Sequence, residues 1–92
     1  MVLEQVIDDP GYRTFKELDA ELGLVKGSAF KAFKAFDAAL VEGVDFHCCD
    51  RRERPADWQR LAARVYPGTS NAVLLGARAQ RAIAARLKVD RV

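Results

Sequence analysis

Residues 14–36, TFKELDAELGLVKGSAFKAFKAF, decide the fold. They read as two short helices joined by a tight turn that contains glycine. Thr14 and Glu17 form a capping box, in which the Thr hydroxyl and the Glu carboxylate each satisfy a free backbone N–H at the helix start. Phe15, Leu18 and Leu22 recur at helical spacing and give the first helix one apolar face. Gly23 supplies the left-handed residue that ends such helices, with Leu24 placed to pack back on the last turn. Gly27 and Ser28 reopen the chain, and Ser28 is the expected N-cap of the second helix.

At about 100° per residue, Phe30, Phe33, Phe36 and Leu40 are expected on one side of that second helix. Ser28, Lys31, Lys34 and Ala35 fall on the other. Burying an aromatic side chain contributes roughly 1.5–3 kcal/mol, so the phenylalanine row sets the inward side, against Leu18, Leu22 and Leu24. What remains outside is a narrow face of lysines among small residues.

The chain around this hairpin is 92 residues long, half of them apolar, which suits a single small domain over residues 1–92. No segment is apolar enough to span a bilayer, and the first residues lack a basic-then-apolar signal pattern, so a bacterial-type cytoplasmic protein is expected. Cys48 and Cys49 are the only cysteines, and adjacent cysteines rarely pair, so reduced thiols are expected. The formal net charge of +2 is unevenly spread. Up to Val25 the chain carries Glu4, Asp8, Asp9, Glu17, Asp19 and Glu21 against Arg13 and Lys16. From Gly76 onward Arg78, Arg81, Arg86, Lys88 and Arg91 face only Asp90. The basic end suits phosphate and the acidic end a partner or a second copy, although a mixed solvated surface would look the same.

Val2, Leu3, Val6 and Ile7 predict a first helix stopped by Pro10 and Gly11. After a turn at Glu42 and Gly43 the period changes to two. Val44, Phe46 and Cys48 alternate with Asp45, His47 and Cys49, which predicts a strand with one apolar and one semi-polar face. Pro55 to Val65 reads as a helix with Trp58, Leu61, Ala62 and Val65 on one side. Residues 66–71, YPGTSN, are a dense turn signal. Ala72 to Leu75 is an apolar run long enough for a second strand pairing with Val44 to Cys49, the alternative being that Val73 to Leu75 begin the last helix. Gly76 breaks the run, and Ala77 to Leu87 predicts a helix with Ala79, Ile83 and Leu87 inward.

The stretch ELGLVKGSAFKAFK, residues 21–34, resembles the helix-turn-helix segment of bacterial transcription regulators. Gly23 stands at the family's turn glycine, Leu18 and Leu22 at its first-helix core positions, and Ala29 and Ala32 at its small inward positions. Asp19 departs from the pattern, standing where a small residue usually lets the helices approach. Val25 departs too, where a short polar residue often caps the second helix. The order of elements loosely resembles the DNA-binding modules of phage antirepressors and winged-helix regulators. The resemblance implies a mostly helical α+β domain: a helix-turn-helix, a two-stranded wing and a C-terminal helix. It implies double-stranded DNA binding with the second helix in the major groove. Lys26, Ser28, Lys31, Lys34 and Ala35 would meet DNA there, with phosphate contacts from Arg51, Arg52, Arg78 and Arg81. A homodimer reading two half-sites is expected of so small a module. The rival reading is a protein-interaction module, antitoxin-like or an adaptor, that uses Phe and Trp surfaces on a protein partner.

Enzyme chemistry has little to stand on in this sequence. Consecutive strand residues point to opposite faces, so in the run HCCD only His47 and Cys49 share a side, too few ligands to hold a metal. His47 is the only histidine and accompanies no nucleophile motif, and Gly68-Thr69-Ser70 lacks the lysine and spaced glycines of a phosphate loop. Neither a catalytic residue, a metal nor a cofactor is expected.

Overall fold

The computed structural model describes residues 2–90, with side chains described for residues 2–87. Helix α1 (Leu3–Asp8) buries Leu3, Val6 and Ile7 of the predicted stripe, while Val2 is its N-cap and stays exposed. It ends before Pro10–Gly11, where Asp9 Oδ1 accepts the Gly11 N–H at 2.8 Å. Helix α2 (Phe15–Glu21) begins with the expected capping box: the Glu17 N–H reaches Thr14 Oγ1 at 3.2 Å, and the Thr14 N–H reaches Glu17 Oε1 at 2.9 Å. It ends in a Schellman turn, with Gly23 at φ 66° and the Leu24 N–H on the Asp19 carbonyl at 2.8 Å.

Helix α3 (Ser28–Phe36) runs on into a 3-10 turn, Asp37–Ala39. Strand β1 (Phe46–Asp50) and strand β2 (Asn71–Leu75) pair antiparallel in the register Phe46↔Leu75 to Asp50↔Asn71. Between them lie helix α4 (Pro55–Leu61) and a 3-10 turn, Ala62–Arg64, so the predicted Pro55–Val65 helix stops four residues early. Helix α5 (Ala77–Asp90) follows at once. Gly76 makes that sharp exit possible, because a Cβ there would sit 3.0 Å from the Asp45 carbonyl oxygen that its own N–H bonds at 2.8 Å.

The protein is thus a small α+β fold in three layers, with the sheet in the middle. On one side α1 and α4 close over Cys49, Ala72 and Leu74, with Leu61 and Val65. On the other side α2, α3 and α5 gather Leu18, Ala29, Ala32 and Phe33 over Leu75, with Ala79 and Ile83. The strands pair as expected, but they form no projecting wing. The connection between them carries a helix, and helices pack on both sheet faces.

This placement also buries the face expected to be semi-polar, while Phe46 of the apolar face packs on the other cluster. His47 and Cys49 are buried under α1 and α4, Phe46 and Cys48 are half-buried, and Val44 lies outside the strand and exposed. Asp45, expected on the semi-polar face, is buried because its Oδ2 accepts the Val41 N–H at 2.9 Å and closes the turn before β1. The inward arc of α3 is corrected as well. It is Ala29, Ala32, Phe33 and Phe36, while Phe30 is 49% exposed and Leu22, on α2's end, 36%. A row spaced by three residues drifts about 60° per step, so Phe30 and Phe36 lie roughly 120° apart and cannot share one face. Among the described residues no helix is long and apolar enough to cross a membrane.

Candidate nucleic-acid interface and the adjoining cleft

Helix α3 is held at its N-terminus by a residue of the preceding helix. Ser28, the expected N-cap, is instead the first helical residue, and Gly27 takes the N-cap position in a left-handed conformation, φ 90°. A glycine has no side chain to cap with. Asp19 supplies the oxygen in its place: Oδ2 accepts the Gly27 N–H at 2.9 Å and Oδ1 the Ala29 N–H at 2.8 Å. The Tyr66 hydroxyl donates to Oδ2 at 2.6 Å. Asp19 is only 2% exposed, and a carboxylate at a helix N-terminus is favoured both by the free N–H groups and by the helix dipole. The departure of Asp19 from the helix-turn-helix pattern therefore has a structural reason. Burial and the Asp19 hydrogen bond push the Tyr66 pKa up to about 12.

With its inner arc fixed, α3 presents Lys31, Lys34, Ala35 and part of Phe30 outward. Lys34 Nζ pairs with Asp37 at 3.0 Å, and Lys26, in the turn before α3, places its Nζ 5.0 Å from the Tyr66 ring centroid. Ser28 is half-buried at the start of the same helix. The predicted arginines lie elsewhere. Arg51 stacks its guanidinium 5.0 Å over the Trp58 ring, on the α4 side of the sheet. Arg52 is exposed in the turn that follows β1. Arg78, at the start of α5, meets Asp45 at 3.3 Å. Arg81 and Arg86 are exposed on α5, while Lys88 and Arg91 of the basic end lie outside the described side chains.

Two of the predicted residues, Lys26 and Lys34, line a cleft of about 690 Å³ between α3 and the sheet. Its walls are aromatic. Phe15 stands edge-on to Phe30 at 5.4 Å and to Phe33 at 5.3 Å, and Phe33 edge-on to Phe46 at 5.1 Å. Val73 and the half-buried Cys48 form the sheet side. Sequence reasoning missed Lys16, which also lines the cleft and donates to the Ala63 carbonyl at 3.4 Å. It also missed Phe30 as a surface residue. The only signal for it was the 60° drift of the phenylalanine row.

A second polar network ties the layers together behind this face. Arg64 holds Glu17 with two hydrogen bonds, 2.9 and 2.8 Å, and donates to the Ile7 carbonyl at 3.0 Å, while the Thr14 hydroxyl donates to the Arg64 carbonyl. Burial pushes the Glu17 pKa up, but the Arg64 and Thr14 hydrogen bonds and the charges of Arg64 and Arg13 outweigh it, leaving it lowered. Both thiols are free, and burial raises both, with Glu42 adding to the shift at Cys48 and Asp57 at Cys49. Among the described residues no three His, Cys, Asp or Glu side chains come together as a metal site. Comparison of the chain with family models, with curated proteins and with solved structures finds no match.

Proposed function

We propose that the chain binds double-stranded DNA as a small transcriptional regulator, with α3 in the major groove. The observation that carries this reading is the mounting of α3. Its N-terminus is clamped by buried Asp19, its small residues pack inward, and Lys31, Lys34 and Ala35 stay uncovered with Lys26 beside them. A helix fixed at its N-terminal end with a lysine-bearing outer face suits groove entry, with lysines on phosphates or guanine edges and Ala35 against a thymine methyl. Arg52 and Arg81 are exposed and free to add phosphate contacts if DNA wraps toward them, whereas Arg51 and Arg78 would first have to leave Trp58 and Asp45. A homodimer would place two copies of α3 on half-sites roughly 34–36 Å apart.

The test is fluorescence anisotropy with random duplex and with the protein's own upstream region, at several salt concentrations. Replacing Lys31 and Lys34 by alanine should leave the fold intact, since both are exposed and alanine is the better helix former. Affinity should fall, and the slope of log affinity against log salt should shrink by about 0.9 for each lysine that had been neutralising a phosphate. Arg81→Ala should act through the salt slope alone, and relaxed sequence preference would mark a lysine on a base edge. Wild-type protein that binds neither duplex at low salt would sink the reading.

A further inference from the structure

The cleft is a trough laid along α3, and its charges are sorted by end. Lys26 stands in the turn before α3, and Asp37 and Glu42 follow its end, with Lys34 committed to Asp37; Lys16 of α2 also lines the trough. Between the two ends the surface is apolar: Phe30 from the helix, Phe15 from α2, Val73 and Cys48 from the sheet. Phe30 is a large apolar side chain left 49% exposed in the middle of it. Nine helical residues span about 13 Å, the reach of roughly four residues of extended chain. Inside the trough a polyanion would leave the aromatic middle unmatched and would meet the exposed Glu42, since Asp37 is already paired with Lys34. A purely apolar ligand leaves both ends unmatched. A short peptide segment satisfies the whole trough if it carries apolar side chains in the middle, a carboxylate at the lysine end and a cation at the acidic end.

We propose that this cleft is a docking site for such a segment of a partner protein, about four apolar residues flanked by Asp or Glu on one side and Lys or Arg on the other. The site does not depend on the DNA reading, although it shares Lys26 and Lys34 with it, so a docked segment would cover part of the proposed DNA face.

The experiment is selection from a random-peptide phage library on the full chain, followed by anisotropy with the selected synthetic peptides. The expected consensus is an apolar or aromatic core with opposite charges at its two ends. Phe30→Glu, at a half-exposed position, should weaken those peptides at least tenfold while the thermal midpoint stays close to that of wild type. Lys26→Glu should weaken them less and shift the selected charge at the lysine end from acidic to basic. Should Phe30→Glu unfold the chain, alkylation decides: a bound peptide should slow labelling of Cys48, in the cleft, and leave Cys49, on the opposite sheet face, unchanged. A library that enriches nothing would overturn the proposal, as would peptides that bind without protecting Cys48. So would a single-stranded oligothymidine that binds the cleft more tightly than any selected peptide. A dimer that Phe30→Glu converts to monomer would give the cleft to a second copy and overturn it too.

Discussion

Asp19 shows how much one side chain decides. It accepts hydrogen bonds from Gly27, Ala29 and Tyr66 while almost wholly out of water. Asp19→Ala leaves two N–H groups and a hydroxyl without partners and should cost roughly 2–4 kcal/mol. For a chain of this size that is a fall of roughly 10–25 °C in thermal midpoint. Asp19→Asn should also destabilise, because an amide offers one acceptor where the helix start needs two. The same bond should show in a tyrosinate titration: the absorbance that Tyr66→Phe removes should appear only near pH 12 in the native protein. His47 gives a second residue-scale test. Burial lowers its pKa below the ordinary histidine value of 6.5, so the folded state disfavours the protonated ring. Stability should therefore be complete above about pH 6.5 and fall as the pH drops below it, until the folded-state pKa is passed. His47→Phe should flatten that part of the profile measured by denaturant melts, and an unchanged slope would remove His47 as its cause.

At the scale of the element, α3 is oriented by its small residues as much as by its large ones. Ala29 and Ala32 are fully packed, at 0 and 4% exposure, and they let α2 and α5 approach closely. Phe33 fills the space between the helices and Phe46, so Phe33→Ala should cost roughly 3–5 kcal/mol. Phe30→Ala removes a half-exposed ring whose stacking on Phe15 is worth about 1 kcal/mol, and should lower the melting temperature far less. Equal losses from the two substitutions, read by thermal melts, would mean that the arc of α3 is rotated from the one described. The Schellman turn and the Asp19 clamp set that rotation from both sides of the α2–α3 connection.

Across the whole molecule the sheet is the shared wall of two apolar clusters. Cys49, Ala72 and Leu74 belong to one, and Leu75 to the other, so neither cluster survives loss of the β1–β2 pairing. The Glu17–Arg64 pair and the Thr14–Arg64 hydrogen bond fasten the α2 side to the turn after α4. Unfolding should accordingly be a single transition. Trp58, the one tryptophan, packs on the α1/α4 cluster, so its fluorescence melt should coincide with helix loss followed by circular dichroism. Two separated midpoints would show that the layers unfold independently.

Local interactions were legible in the sequence because they depend on residues a few positions apart. The Thr14–Glu17 box, the Gly23 stop, the stripe of α5 and the Gly76 break follow from side-chain chemistry or period alone, whereas the structure had to decide that residues 73–75 pair as a strand rather than begin the last helix. The rest was decided by tertiary structure. A two-residue period fixes that strand faces alternate but not what packs on each, and here helices pack on both, so His47 and Cys49 went inside. The cap of α3 comes from Asp19, on the preceding helix, a link that cap patterns confined to one helix do not contain. The cleft exists because α3 covers only part of the sheet. How far one element extends over another depends on where both sit in space, and no spacing along the chain encodes that directly.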